Sequence, residues 1–165
     1  MIAKKVTFIS TIAVSALVLS ACSSDSATSG DLSQDLKDQY SQSELIVTAV
    51  EEAVLVAAKA QPADFTAIVD NWDTLKADIA VYEQTLVDLI DAAREANNDT
   101  CKDALLRYQV LELVESEILG NIYVAAESGD ADDLGTHVED LETIMNGELS
   151  ETLDLEIESA CGLTA

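Results

Sequence analysis

Residues 65–96 read FTAIVDNWDTLKADIAVYEQTLVDLIDAAREA, and this stretch decides the fold. Its apolar side chains recur at steps of three and four without a break: Phe65, Ile68, Trp72, Leu75, Ile79, Tyr82, Leu86, Leu89, Ala93 and Ala96. Such steps place all of them along one side of an α-helix, as in a heptad seam. Asp64 can cap the start of this helix, and Asn97-Asn98-Asp99 breaks the pattern. The stretch predicts a helix over 64–96 with one buried face.

Three further segments, at about residues 31–60, 100–128 and 131–160, carry the same helical spacing. Pro62 ends the first segment, because a proline disfavours helical geometry at the residue before it. Ser128-Gly129 ends the third, since glycine is a common residue just beyond a helix C-terminus. The sequence therefore predicts four helices of similar length.

The third and fourth segments carry signals of their own. Thr100 and Asp103 resemble a capping box, which would start the third helix at Thr100. Asn146-Gly147 would kink or split the fourth helix, and the sequence leaves that choice open. The third helix is expected to be the most buried, because further apolar residues widen its face: Leu105, Leu106, Val110, Leu113, Val114, Leu119 and Val124.

Helices of this length joined by short loops predict an all-α fold, an antiparallel up-down-up-down four-helix bundle over residues 31–165. An array of helical repeats is the main alternative. It is less favoured, because the chain has equal helix lengths but no residue-level repeat at a fixed period.

The N-terminus has the three parts of a secretory signal. Lys4 and Lys5 form a basic start, residues 6–19 carry no charge, and small residues precede Cys22. The apolar run would rise only about 21 Å as a helix, short of the ~30 Å hydrocarbon core of a bilayer. A signal is therefore favoured over a permanent transmembrane helix.

The four residues Leu19-Ser20-Ala21-Cys22 resemble the lipobox of bacterial lipoprotein precursors. The resemblance implies cleavage between Ala21 and Cys22, which removes residues 1–21 as the signal peptide. It also implies S-diacylglycerol and N-acyl groups, such as palmitate, on Cys22, so that lipid anchors the protein in the bilayer. An ordinary signal peptide with an incidental Cys22 is the alternative.

The same resemblance bears on location. The polar residues 22–30 would form a flexible, lipidated tether, and the domain would face the periplasm or the exterior. Ser23, where Asp would imply retention on the inner membrane, implies the outer membrane if the host has two membranes. Cell membrane and outer membrane both stay open, because the sequence does not identify the envelope type.

With Cys22 assigned to lipid, Cys101 and Cys161 remain as an even pair in an exported domain, which predicts a disulfide. Cys101 begins the third predicted helix and Cys161 ends the fourth. Antiparallel neighbours bring those two ends to the same level, which allows the Cα separation of about 5.5 Å that a disulfide needs.

The mature chain is strongly acidic. Because Lys4 and Lys5 leave with the signal, 32 acidic residues face six basic ones and the formal charge goes from −24 to −26. A field of this sign repels phosphate and excludes nucleic acid as a partner. It also repels anionic headgroups, so contact with the bilayer is expected through the lipid on Cys22.

No motif for catalysis or a cofactor is found in the sequence. The Cys-x-x-Cys-His motif for haem is absent, and a single histidine, His137, excludes the paired Glu-x-x-His motifs of a di-iron centre. His137 is expected to form an exposed pair with Asp133, four residues earlier. Residues 130–141 begin like a calcium loop, but leucines occupy two ligand positions, and acids at a helix start explain Asp130 equally well. We therefore expect no enzyme, no cofactor and no metal site.

The leading functional hypothesis is a non-enzymatic structural or interaction module of the cell envelope, with the bilayer and an envelope protein as partners. The alternative, motivated by the charge, is an acidic binding protein for a cationic ligand or a divalent metal. Five aromatic residues on the apolar stripes are expected to pack in the core rather than line a ligand groove: Tyr40, Phe65, Trp72, Tyr82 and Tyr108.

Overall fold

The structure is a computed structural model that describes residues 31–163, and within them the chain is all-helical with no strand. The predicted signal peptide, the predicted tether and Cys22 lie outside the described residues. The helices are α1 (Gln34–Ala58), α2 (Phe65–Glu95), α3 (Asp99–Ser128), α4 (Ala131–Met145) and α5 (Glu148–Cys161).

The ends of α2 and α3 follow from local side-chain chemistry. The Asp64 side chain accepts a hydrogen bond from the Ala67 amide, so the predicted cap of α2 is confirmed. The capping box at Thr100 is wrong, because Asn98 caps α3 by accepting from the Cys101 amide. Gly129 ends α3 with a φ of 72°, a left-handed conformation that glycine adopts without steric penalty.

The fourth predicted helix is two helices. It divides at Asn146 and Gly147, where the Asn146 side chain donates to the Glu142 carbonyl oxygen and Gly147 starts α5 without a side-chain cap. A Cβ atom at Gly147 would stand 2.8 Å from the Thr143 carbonyl oxygen, so the turn has no room for a side chain. The sequence left a split at this point open, and the structure contains five helices where four were predicted.

The helices enclose two groups of buried apolar side chains. α2 packs against α1 and α3, and α3 packs in turn against α4 and α5. One group surrounds Leu86 and Leu105, and the other surrounds Leu75 and Ile122. By contrast, no Cα atom of α1 lies within 8 Å of a Cα atom of α5, so these two helices are separated at the backbone level.

The predicted disulfide is confirmed. Cys101 at the start of α3 and Cys161 at the end of α5 are bonded, with a Cα–Cα distance of 4.9 Å. Both residues are buried beside Leu105 and Ile157. A crosslink across 60 residues stabilises the folded state by about 4 kcal/mol in the chain-entropy model.

α3 has more buried residues than any other described helix, as predicted, but most of its widened apolar face is exposed. Val110 and Leu113 are 62% and 53% exposed, and Leu106, Val114 and Val124 are exposed as well. The reason is that α3 turns a different side to its neighbours. That side includes two carboxylates, Glu112 and Glu115, which are buried.

Candidate functional site

An acidic cavity lies where α1 and α5 are separated. Its volume is about 260 Å³, roughly the space that nine water molecules occupy in the liquid. It is lined by residues of all five helices: Glu44, Val47, Thr48, Glu51, Tyr82, Tyr108, Glu112, Glu115, Met145, Ser150 and Asp154.

The cavity has a buried floor and an accessible rim. Val47, Tyr82 and Tyr108 belong to the floor and are buried. Thr48 is exposed, and Asp154 is partly exposed. A solute can therefore reach the buried groups from the side on which α1 and α5 stand apart.

Two carboxyl groups in this cavity have no hydrogen-bond partner among the described residues. Glu51 is 6% exposed and Glu115 is 7% exposed, and both line the cavity. A buried polar group without a partner is costly, and a buried charge more so. The pair therefore depends on water, bound protons or a cation in the cavity.

The basic side chains of the domain are placed elsewhere. Lys59 pairs with Glu142, and Lys102 pairs with Asp99 at 2.6 Å. Arg107 pairs with Glu156 at 2.7 Å. No lysine, arginine or histidine lines the cavity within the described part of the chain, so its carboxyl groups lack an internal counter-ion.

Burial changes the protonation of these acids. It raises the pKa of Glu51 to about 8, and repulsion from Glu115 adds to the shift. Burial also raises the pKa of Glu112 to about 9, with repulsion from Glu115 and Glu51 acting in the same direction. The pKa values of Glu44 and Glu115 rise to about 7, and that of Asp154 is raised, again mainly through burial.

Two tyrosines, Tyr82 and Tyr108, line the site, and a third, Tyr40, lies behind them. The Tyr40 hydroxyl donates to a Glu44 carboxylate oxygen at 3.2 Å, and the Tyr82 hydroxyl donates to the Tyr108 hydroxyl at 3.3 Å. The Tyr40 and Tyr82 rings lie 5.9 Å apart. Burial raises the pKa of all three phenols, so they stay neutral. The site thus combines neutral hydroxyls, ring faces and carboxyl groups.

Comparison with protein-family models, curated proteins and solved structures finds no match for this chain. The site is therefore interpreted from its own chemistry. Among residues 31–163, no three side chains of His, Cys, Asp or Glu converge closely enough to hold a metal ion. None of the described helices is both long and apolar enough to span a bilayer.

Tyr82 and Tyr108 were expected to pack in the core rather than line a groove, and they are buried but also line this cavity, whereas the cysteines, His137 and Asp130 lie away from it. Cys101 and Cys161 form the disulfide, and Cys22 is outside the described residues. His137 is paired with Asp133 at 3.6 Å as predicted, although it is partly buried rather than exposed. Asp130 accepts hydrogen bonds from two backbone amides at the start of α4, which agrees with a helix cap.

The acids of the cavity were missed, although the sequence contains a signal for them. On the apolar stripe of α1, Tyr40 is followed by Val47, Val50 and Val54, and no residue of the stripe lies between Tyr40 and Val47. Glu44 lies inside that gap, four residues after Tyr40, and Glu51 lies seven residues after Glu44 on the same side of the helix. A carboxylate at a position where the period calls for an apolar residue indicates a buried acid.

Proposed function

We propose that the chain is a lipid-anchored protein of the cell envelope whose helical domain, without enzymatic activity, binds a cationic ligand in the acidic cavity. The observation that carries this proposal is the pair Glu51 and Glu115, which are more than nine-tenths buried, line the cavity and have no hydrogen-bond partner among the described residues.

The physical argument is that the carboxylates of the cavity have no positively charged partner. Two carboxylates without protein partners in a site of reduced dielectric repel each other and have lost part of their hydration. A cation in the cavity would restore charge neutrality and supply hydrogen-bond donors to both groups. Attraction over longer distances supports the same role, because a net charge of −26 on the mature chain concentrates cations near its surface.

The anchor and the arrangement of the helices are part of the proposal. The lipobox supports lipid on Cys22 and a position on the cell membrane or outer membrane, with the domain in the periplasm or outside the cell. The short turns and the Cys101–Cys161 bond support an antiparallel up-down order in which α4 and α5 together form the fourth member. The earlier hypothesis of an envelope protein as partner stays a prediction.

Calorimetry on the mature, lipidated chain in detergent tests ligand binding. The probes are calcium, magnesium and small organic amines, at low salt and about pH 8, which is above the pKa of Glu44 and Glu115 and close to the pKa of Glu51. Binding is expected for the native chain and strongly reduced in Glu51→Gln with Glu115→Gln. Glu52→Gln with Glu117→Gln is the matched control, because it removes equal charge from exposed positions on the same helices. Absence of heat with every probe would overturn the proposal.

Mass spectrometry of the protein extracted from membranes tests the anchor. The mature chain is expected to begin at Cys22 and to carry the added mass of a diacylglycerol and an acyl chain. Cys22→Ala should remain unprocessed or appear without lipid. A native chain with an unmodified Cys22 contradicts the proposed anchor and leaves the ligand site untouched.

A further inference from the structure

The carboxyl groups of the cavity are spread along a slot. Glu44 and Glu51 lie seven residues apart on α1, with Thr48 between them, and all three line the cavity. Seven residues of α-helix rise about 10 Å. On α3, Tyr108, Glu112 and Glu115 repeat the same spacing along the same cavity.

Apolar surface lies between the acidic positions. Val47 stands between Glu44 and Glu51 in the chain and is buried, and the rings of Tyr82 and Tyr108 also line the slot. Met145 adds a thioether from the end of α4. Aromatic faces attract ammonium groups, and side chains of this kind pack well against methylene groups. The alternation of acidic and apolar side chains fits a ligand whose charged groups are separated by aliphatic carbon atoms.

The volume and the arrangement of the acids favour an extended molecule over a single ion. A divalent ion requires several oxygen atoms at about 2.0–2.6 Å from one point, whereas the acids on α1 are distributed over two helical turns. The backbone positions of Glu44 and Glu51 are about 10 Å apart along α1, farther than one ammonium group bridges. A second charge is needed to satisfy the other end.

We propose that the ligand is a linear aliphatic diamine or polyamine, which lies along the slot with one ammonium group near Glu44 and Asp154 and another near Glu51 and Glu115. This inference rests on the proposed function, since it specifies the cation that the same cavity would bind. The methylene chain of the ligand would contact Val47 and the tyrosine rings. The unpartnered, buried carboxyl groups of Glu51 and Glu115 would receive their donors from the inner ammonium group.

Calorimetry with matched amines tests the inference on the mature, lipidated chain. The diamine cadaverine and the monoamine pentylamine have the same carbon chain, so the comparison isolates the second charge. Cadaverine is expected to bind roughly 10- to 100-fold more tightly, because a hydrogen bond to a charged group contributes about 1.5–3 kcal/mol. Glu44→Gln should reduce cadaverine affinity to the level of pentylamine, and the exposed Glu52→Gln should leave the ratio unchanged.

The possible results separate this inference from the proposed function. Equal affinities for the two amines, or calcium binding without amine binding, would overturn the inference while the cavity remains a cation site. No binding of any probe would overturn both. Circular dichroism of each variant checks its fold, and Glu44→Gln keeps an oxygen that can accept the Tyr40 hydrogen bond.

Discussion

Glu51 of α1 and Glu115 of α3 face one cavity, although no Cα atom of α1 comes within 8 Å of a Cα atom of α3. Their side chains extend from two helices whose backbones are separated, although side chains of both helices share one buried group. Burial, together with Glu115, raises the pKa of Glu51 to about 8. The fold thus holds two acids in a place that favours their neutral forms, and this has measurable consequences for stability and binding.

The first prediction concerns the pH dependence of stability without ligand. The folded domain keeps protons on Glu51 and Glu112 that the unfolded chain loses above about pH 4.5. Since the folded state binds more protons in this range, the free energy of unfolding should fall as pH rises from about 5 to 9, by a few kcal/mol. Urea unfolding at a series of pH values measures the slope.

A matched pair of variants separates burial from net charge. Glu51→Gln with Glu115→Gln should flatten the slope and unfold at higher urea concentration than the native chain at pH 9. Glu52→Gln with Glu117→Gln changes the net charge equally, and should retain the native slope because these side chains are exposed. Equal slopes in both variants would show that general repulsion, not the cavity, causes the pH dependence. Both double variants keep the other titratable side chains that line the cavity with Glu51 and Glu115: Glu44, Tyr82, Tyr108, Glu112 and Asp154.

The second prediction links ligand binding to proton release. Because burial raises the pKa of Glu51 to about 8 and that of Glu112 to about 9, both groups are mostly neutral at pH 7. A cation favours their charged forms, so binding should release protons and affinity should rise between about pH 6 and 9. Calorimetry in two buffers with different ionisation enthalpies counts the released protons. The same heat in both buffers contradicts the mechanism.

The third prediction concerns the Cys101–Cys161 bond. Reduction should lower the free energy of unfolding by about 4 kcal/mol, because the unfolded chain regains the entropy of a loop of 60 residues. Urea unfolding with and without dithiothreitol measures the difference. In Cys101→Ala with Cys161→Ala, dithiothreitol should have no further effect; a remaining effect would point to a different thiol.

The fourth prediction compares two glycines of α3. Gly120 lies inside the helix with nothing within 4 Å of an added Cβ atom. Gly120→Ala should therefore stabilise the domain by about 0.5–1 kcal/mol through helix propensity. Gly129 has a φ of 72°, and Gly129→Ala should destabilise the domain by about 1 kcal/mol because a Cβ is strained there. Thermal unfolding of the two variants should shift in opposite directions.

The helices could be predicted from the sequence because the spacing of apolar residues and the residues that start or end a helix act locally. Asp64 marks the start of α2 and Gly129 marks the end of α3, as the sequence indicates. Asn98 could not be distinguished from Thr100 as a cap, since both residues have suitable side chains within one turn. Likewise, the tight approach of Gly147 to the Thr143 carbonyl oxygen depends on the path of the chain in space.

The side of α3 that faces the core could not be read in the same way. Its apolar residues surround most of the helix, so Val110 and Leu113 gave no indication of which side is buried. The choice depends on the joint packing of α2, α4 and α5 against α3. This packing buries Glu112 and Glu115. Helical spacing that is read from apolar residues alone does not reveal such buried acids.

The break at Gly147 has an evolutionary consequence. Met145 and Ser150 lie on either side of it, and both belong to the wall of the cavity. Turns accept insertions and deletions more readily than helices do. Related chains could therefore acquire a wider or narrower opening through changes at Asn146 and Gly147, while the crosslinked end at Cys161 keeps α5 attached. Among descendants, changes in the shape of the cavity are expected to appear first at this turn.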